Sequence, residues 1–222
     1  QTQLMNVYGT SKSSILQGGC TDGTYLYLLF TDGAKSDAAD RIYKVNPAAQ
    51  SVELISQPLA LDHGNDMTYN PRTGRLLVAH QAPNARVLSF LDPDTLTVTK
   101  SKKLPDKVYG IAYDTLENCY YLGLSGTNDF ARYSGSLQRE TVFTGEESGA
   151  TRQGLEVYND AIYFLYYNPN CIAKYSKSGA LLGVFRLPVE SGEPECLCFL
   201  NDVLYLCYGI YGTGSAIIYT LQ

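Results

Sequence analysis

Charge is scarce in this chain of 222 residues: Asp, Glu, Lys and Arg make up 18% of it, against roughly 25% in a typical soluble domain. Hydrophobic residues reach 45%, which excludes a disordered polypeptide. No apolar run approaches the ~18 residues that a membrane-spanning helix needs, so no membrane partner is expected. Basic residues number 17 against 22 acidic ones, a net charge of −5. A nucleic-acid binder carries the opposite balance, so nucleic acid is excluded as a partner. Tryptophan is absent, and the two histidines are His63 and His80. With so few imidazoles and neither HExxH nor CxxC, a transition-metal site lacks its ligands. Neither a metal nor a cofactor is expected. The loop from Asp32 to Asp40 also lacks the alternating acidic positions of a calcium loop. There is no Gly-x-Ser-x-Gly elbow to support a serine hydrolase of that kind. The chain opens without a basic and then apolar segment, so any leader is expected to have been removed.

What the chain has is glycine (20 residues), tyrosine (19) and a repeat. Apolar, strand-like cores centre on Tyr27, Leu77, Tyr120, Tyr163 and Tyr205, separated by 50, 43, 43 and 42 residues, with 44 more through the chain ends back to Tyr27. Five units therefore close on themselves. Each unit opens about ten residues before its marker: Gln17-Gly18, Asn65-Asp66, Tyr109-Gly110, Gln153-Gly154 and Glu195-Cys196. Turn residues follow, such as Asp22-Gly23, Asn159-Asp160 and Asn201-Asp202. A third strand comes after each marker, and a fourth after most of them. The fifth unit stops after its third strand, near Thr220, and the alternating segment Leu4 to Tyr8 is placed to supply the missing one. The expected fold is all-β: a single domain over residues 1–222, a five-bladed β-propeller with four antiparallel strands per blade, closed by the N-terminal strand. Two independent β-domains would leave the steady period unexplained.

Six cysteines are scattered along the chain, and reduced, buried thiols are the expected state. Cys196 and Cys207 would face each other across a hairpin around Leu200, although directly opposed β residues rarely suit a disulfide.

In a propeller the starts of the inner strands and the loops between second and third strands share one face. That face should gather Gln17, His63, Asn65, Asp66, Tyr109, Arg152, Gln153 and Glu195 at the mouth of the central channel. Amides, carboxylates and an aromatic ring converging on one hollow are what a ligand site requires. Glu193, Glu195 and Asp66 are the acid/base candidates, because a carboxylate at a narrow mouth has its pKa raised by desolvation. Tyr109 and Tyr211 are candidate stacking platforms.

The openings Gln17-Gly18, Asn65-Asp66-Met67-Thr68 and Gln153-Gly154-Leu155-Glu156 resemble the inner-strand starts of the plant and bacterial type of glutaminyl cyclotransferase, itself a five-bladed propeller. The resemblance implies a pocket at the channel mouth and an acid/base glutamate in a Glu-Gly-Leu-Thr opening of the second blade. Here asparagine, Asn65, stands in that place, with Asp66 beside it, and the family's pocket tryptophans have no counterpart. The expected function is accordingly the binding of a small molecule, carbohydrate or peptide by a monomer, in a secreted or otherwise extracytoplasmic setting. The alternative is an enzyme of the cyclotransferase or propeller-lyase type.

Overall fold

A computed structural model describes residues 1–32, 39–146, 149–188 and 192–221. Among these there are strands and turns but no helix. The first strand, β1 (Thr2–Tyr8), is set aside for the end of the chain. Blade one is β2 (Ser14–Thr21), β3 (Leu26–Asp32), β4 (Arg41–Asn46) and β5 (Ser51–Ile55). Blade two follows as β6 (Asp66–Asn70), β7 (Arg75–Ala79), β8 (Val87–Leu91) and β9 (Val98–Lys103). Blade three is β10 (Val108–Asp114), β11 (Cys119–Leu124), β12 (Phe130–Ser134) and β13 (Arg139–Phe143), and blade four β14 (Thr151–Tyr158), β15 (Ala161–Tyr167), β16 (Cys171–Ser176) and β17 (Leu181–Arg186). Blade five takes β18 (Glu193–Leu200), β19 (Val203–Ile210) and β20 (Ser215–Leu221). Its fourth strand is β1, antiparallel to β20 with Asn6 opposite Ile217.

Each inner strand touches the next, from β2 through β6, β10, β14 and β18 and back to β2, so the ring is closed. Successive side chains on a strand point to opposite faces, and each blade therefore packs against both neighbours. On β3, Leu26, Leu28 and Phe30 meet blade five, while Tyr27 and Leu29 meet blade two. Five apolar clusters result, one per blade interface. Tyrosine supplies much of the bulk, since Tyr27, Tyr43, Tyr120, Tyr121, Tyr133, Tyr175 and Tyr208 are fully buried. A buried tyrosine needs a partner for its hydroxyl, and several find one at a turn. Tyr27 donates to Asp22 at 2.8 Å, and Tyr120 accepts from Asn70 at 2.5 Å. The same Asp22 accepts the Thr24 and Tyr25 amides at 2.8 Å, so one side chain both shapes the turn and caps the aromatic below it.

All six cysteines are buried free thiols, and Cys196 does lie directly opposite Cys207 in the β18–β19 pairing. Most of the loop between Asp32 and Asp40, residues 33–38, lies outside the described residues.

Candidate functional site

The pocket at the channel mouth is made by β-bulges. Register slips in β2 between Leu16 and Gly18, in β10 between Val108 and Gly110, in β14 between Arg152 and Leu155, and in β18 between Pro194 and Cys196. The residues left unpaired there include Gln17, Tyr109, Gln153 and Glu195. A bulge re-aims the side chain it carries, and all four line one pocket of about 780 Å³, together with Asn65 and Arg152. Asn65 precedes the unbulged β6 and is tied by its amide to the Ala79 carbonyl at 2.9 Å.

Asp66 does not join them. It is buried under the pocket on the channel axis, where its Oδ2 accepts the Ile111 amide at 2.9 Å and the Leu155 amide at 3.2 Å. The glycines that recur at the inner-strand starts make room for it. A Cβ on Gly18 would sit 2.7 Å from the Asp66 Cα, and one on Gly110 would sit 3.3 Å from the Asp66 Oδ2 and 2.4 Å from Leu155. Burial pushes the Asp66 carboxyl well above the ordinary carboxylate range, against the amide hydrogen bonds that favour its ionised form. This carboxyl joins strands of blades two, three and four and is held away from the pocket.

His63 is also outside the pocket lining. Asp40 accepts the Leu61 and Gly64 amides at 3.2 and 3.3 Å, and Asp62 and His63 both take left-handed backbone, φ 52° and 57°. The half-buried ring of His63 is left in the field of Asp40, and burial lowers its pKa. Tyr211, at 58% exposure, is likewise absent from the lining.

The pocket lining carries the carboxyl of Glu195, and Glu193 lies outside that lining, behind it. Glu195 is 3% exposed, and burial pushes its pKa well above the ordinary range, with the charges of Glu193 and Asp66 adding to the shift. Glu193, behind it, is raised by burial and accepts a hydrogen bond from the Gln153 amide at 2.5 Å. Neither glutamate has an ion-pair partner among the described residues. The opposite wall is Tyr109, with the Arg152 guanidinium 4.7 Å from its ring centre. Arg152 also donates to the Leu124 carbonyl at 3.0 Å, which anchors the pair. Arg86, Lys103 and Lys107 supply a cationic rim. None of the three stands at an inner-strand start: Arg86 ends the β7–β8 loop, Lys103 ends β9 and Lys107 lies on the β9–β10 connection. The site thus offers buried acid at one end, a flat aromatic and amides along its side, and positive charge at its edge.

Elsewhere, Asp114, Glu117 and Cys119 bring three donor atoms within 4.8 Å of one another, the spacing of a metal cradle. Cations of the chain already occupy it: Lys177 Nζ lies 2.6 Å from Asp114 and 3.4 Å from Glu117, and Arg132 lies 3.1 Å from Glu117.

No protein-family model and no curated protein matches the chain. Solved structures do. Glutaminyl cyclase of Myxococcus xanthus superimposes with a TM-score of 0.73 at 8% identity, over 99% of this chain and 95% of that one. Virginiamycin B lyase from Staphylococcus aureus gives a TM-score of 0.58 at 12% identity, over 98% of this chain and 99% of that one. At such identities the likeness is one of fold, a propeller that resembles the cyclase in its architecture.

Proposed function

We propose that the chain is a ligand-binding propeller whose channel-mouth pocket takes the amino-terminal end of a peptide. The observation that carries this reading is Glu195, a buried carboxyl in the pocket lining with Glu193 behind it, neither of them with an ion-pair partner among the described residues. A buried carboxylate is costly unless paired, and an α-ammonium group is a compact partner with three donors. Gln17, Asn65 and Gln153 match the alternating donors and acceptors of a peptide backbone, and Tyr109 gives a flat apolar wall. The cationic rim favours acidic residues further along the peptide. A neutral sugar would use the amides and the tyrosine and leave the Glu195 carboxyl unanswered. The test is calorimetric titration with short acidic peptides, the same peptides acetylated at the amino terminus, and neutral oligosaccharides. Binding of the free-amine peptides alone supports the reading, and preference for sugars or indifference to acetylation rejects it.

A second reading is favoured by one feature, the raised carboxyl of Glu195. Cyclisation of an N-terminal glutamine expels ammonia and needs a proton donor, an aid typically worth ~10²–10⁴-fold. Asn65 cannot supply it and Asp66 is locked under the pocket, which leaves Glu195. Ammonia release from glutaminyl peptides that is lost in Glu195→Gln would establish the enzyme.

A further inference from the structure

We propose a second, catalytic site on blade two, in which Asp62, His80 and Ser89 form a proton-relay triad able to transfer an acyl group from a small ester to water. The three residues come from the connection after β5, the loop after β7 and the middle of β8, and no spacing in the sequence marks them. They nevertheless touch one after another in space. His80 Nδ1 lies 2.9 Å from Asp62 Oδ2, and His80 Nε2 lies 2.8 Å from Ser89 Oγ. Beyond Ser89, the hydroxyl of Ser101 stands 3.0 Å away on β9.

The direction of every hydrogen bond follows from what each group can do. Asp62 is held below the ordinary carboxylate pKa: burial opposes ionisation, but the hydrogen bonds from His80 and Asn84 outweigh it. An ionised carboxylate only accepts, so His80 Nδ1 carries the proton. In the neutral form of the ring Nε2 is bare and accepts from Ser89 Oγ, and Ser89 in turn accepts from Ser101. That tautomer is the one a general base requires, with a third group orienting it. The backbone is bent to achieve it: Asp62 and His63 are consecutive left-handed residues that are not glycine, a conformation that persists only when its surroundings enforce it. Asn84 adds a second grip on Asp62 at 2.9 Å.

The triad also faces space. His80 and Ser89 are 4% and 2% exposed, yet both line a cavity of about 680 Å³, walled by Pro58, Leu59 and Val98. Mostly apolar walls suit an acyl chain or a small ester. In the reaction Ser89 Oγ attacks the acyl carbon while its proton passes to His80 Nε2. The bond to the alcohol then breaks, and the departing oxygen takes that proton. Water attacks the acyl-serine, gives one proton to His80, and the acid leaves as Ser89 recovers it. Ester and water become acid and alcohol, with no other reactant.

A fluorophosphonate probe tests the proposal on the whole chain, because it replaces fluoride only on an activated serine. The expected result is one adduct, mapped by mass spectrometry of the unmodified sequence to Ser89. It should vanish in Ser89→Ala, slow by ~10²–10⁴-fold in His80→Gln, as loss of a general base does, and persist at Ser89 in Ser101→Ala. Hydrolysis of p-nitrophenyl acetate should fall in the same order. An unlabelled wild-type chain, an adduct at Ser101 or elsewhere, or labelling indifferent to His80→Gln in a variant that melts as wild type does would overturn it. The four residues would then be a polar network that fastens β8 and β9.

Discussion

In Asp66→Ala the amides of Ile111 and Leu155 lose their acceptor at the centre of the ring. Both are buried on inner strands, and the Gly18 and Gly110 backbones close on the same point. An orphaned buried amide costs about 1–3 kcal/mol, so two cost about 2–6 kcal/mol. That is a large fraction of the ~5–15 kcal/mol by which a domain is stable. Asp66→Asn keeps one acceptor oxygen, enough for both amides, and should lose far less. The carboxyl itself has a raised pKa, so the folded state holds its proton longer than the unfolded state. Stability contributed by Asp66 is then greatest at low pH and declines as pH rises toward the folded pKa. Because the chain has no tryptophan, the assay is urea unfolding followed by circular dichroism. Alanine and asparagine variants that both unfold at the wild-type midpoint would refute the axial role of Asp66.

Other consequences can be checked in the same way. Burial pushes the Glu156 carboxyl from its ordinary 4.5 up to about 8. The folded chain therefore keeps a proton that the unfolded chain releases, and stability should fall across that window by up to about 1.4 kcal/mol per pH unit. Glu156→Gln should flatten this slope, as read from urea midpoints on either side of the window. Deleting residues 1–9 removes β1 and the buried Val7 from the interface of blades five and one. It should expose the edge of β20, lower the melting temperature sharply and cause association visible by light scattering.

The propeller was legible because blade packing repeats. Apolar positions at Tyr27, Leu77, Tyr120, Tyr163 and Tyr205 recur at the spacing of one blade, and strand-forming residues between Asx turns leave little choice of element. The N-terminal closure followed from a count of strands. The glycines after Gln17, Tyr109 and Gln153 were visible as a motif, but their reason was not: they admit Asp66 to the axis, so the residue read as a ligand group is structural. Bulges explain which of the expected side chains reach the pocket, and a slip of one residue leaves no mark in composition. Arg86 at the end of the β7–β8 loop, Lys103 at the end of β9 and Lys107 on the β9–β10 connection carry no mark of the pocket in the repeat. The repeat puts His80 on the same face as His63 but does not mark its partners, which lie 18 residues before it and 9 after it.

A thermodynamic cycle decides whether Glu195 answers a peptide's α-ammonium group. Binding is measured by calorimetry for one acidic peptide with a free or acetylated amino terminus, on the wild-type chain and on Glu195→Gln. Removing one member of a buried charged pair costs about 2–5 kcal/mol, and the predicted result is a loss of that size for the free-amine peptide with almost none for the acetylated one. Equal losses for both peptides would contradict the claim, because Glu195 would then shape the pocket without meeting the amine.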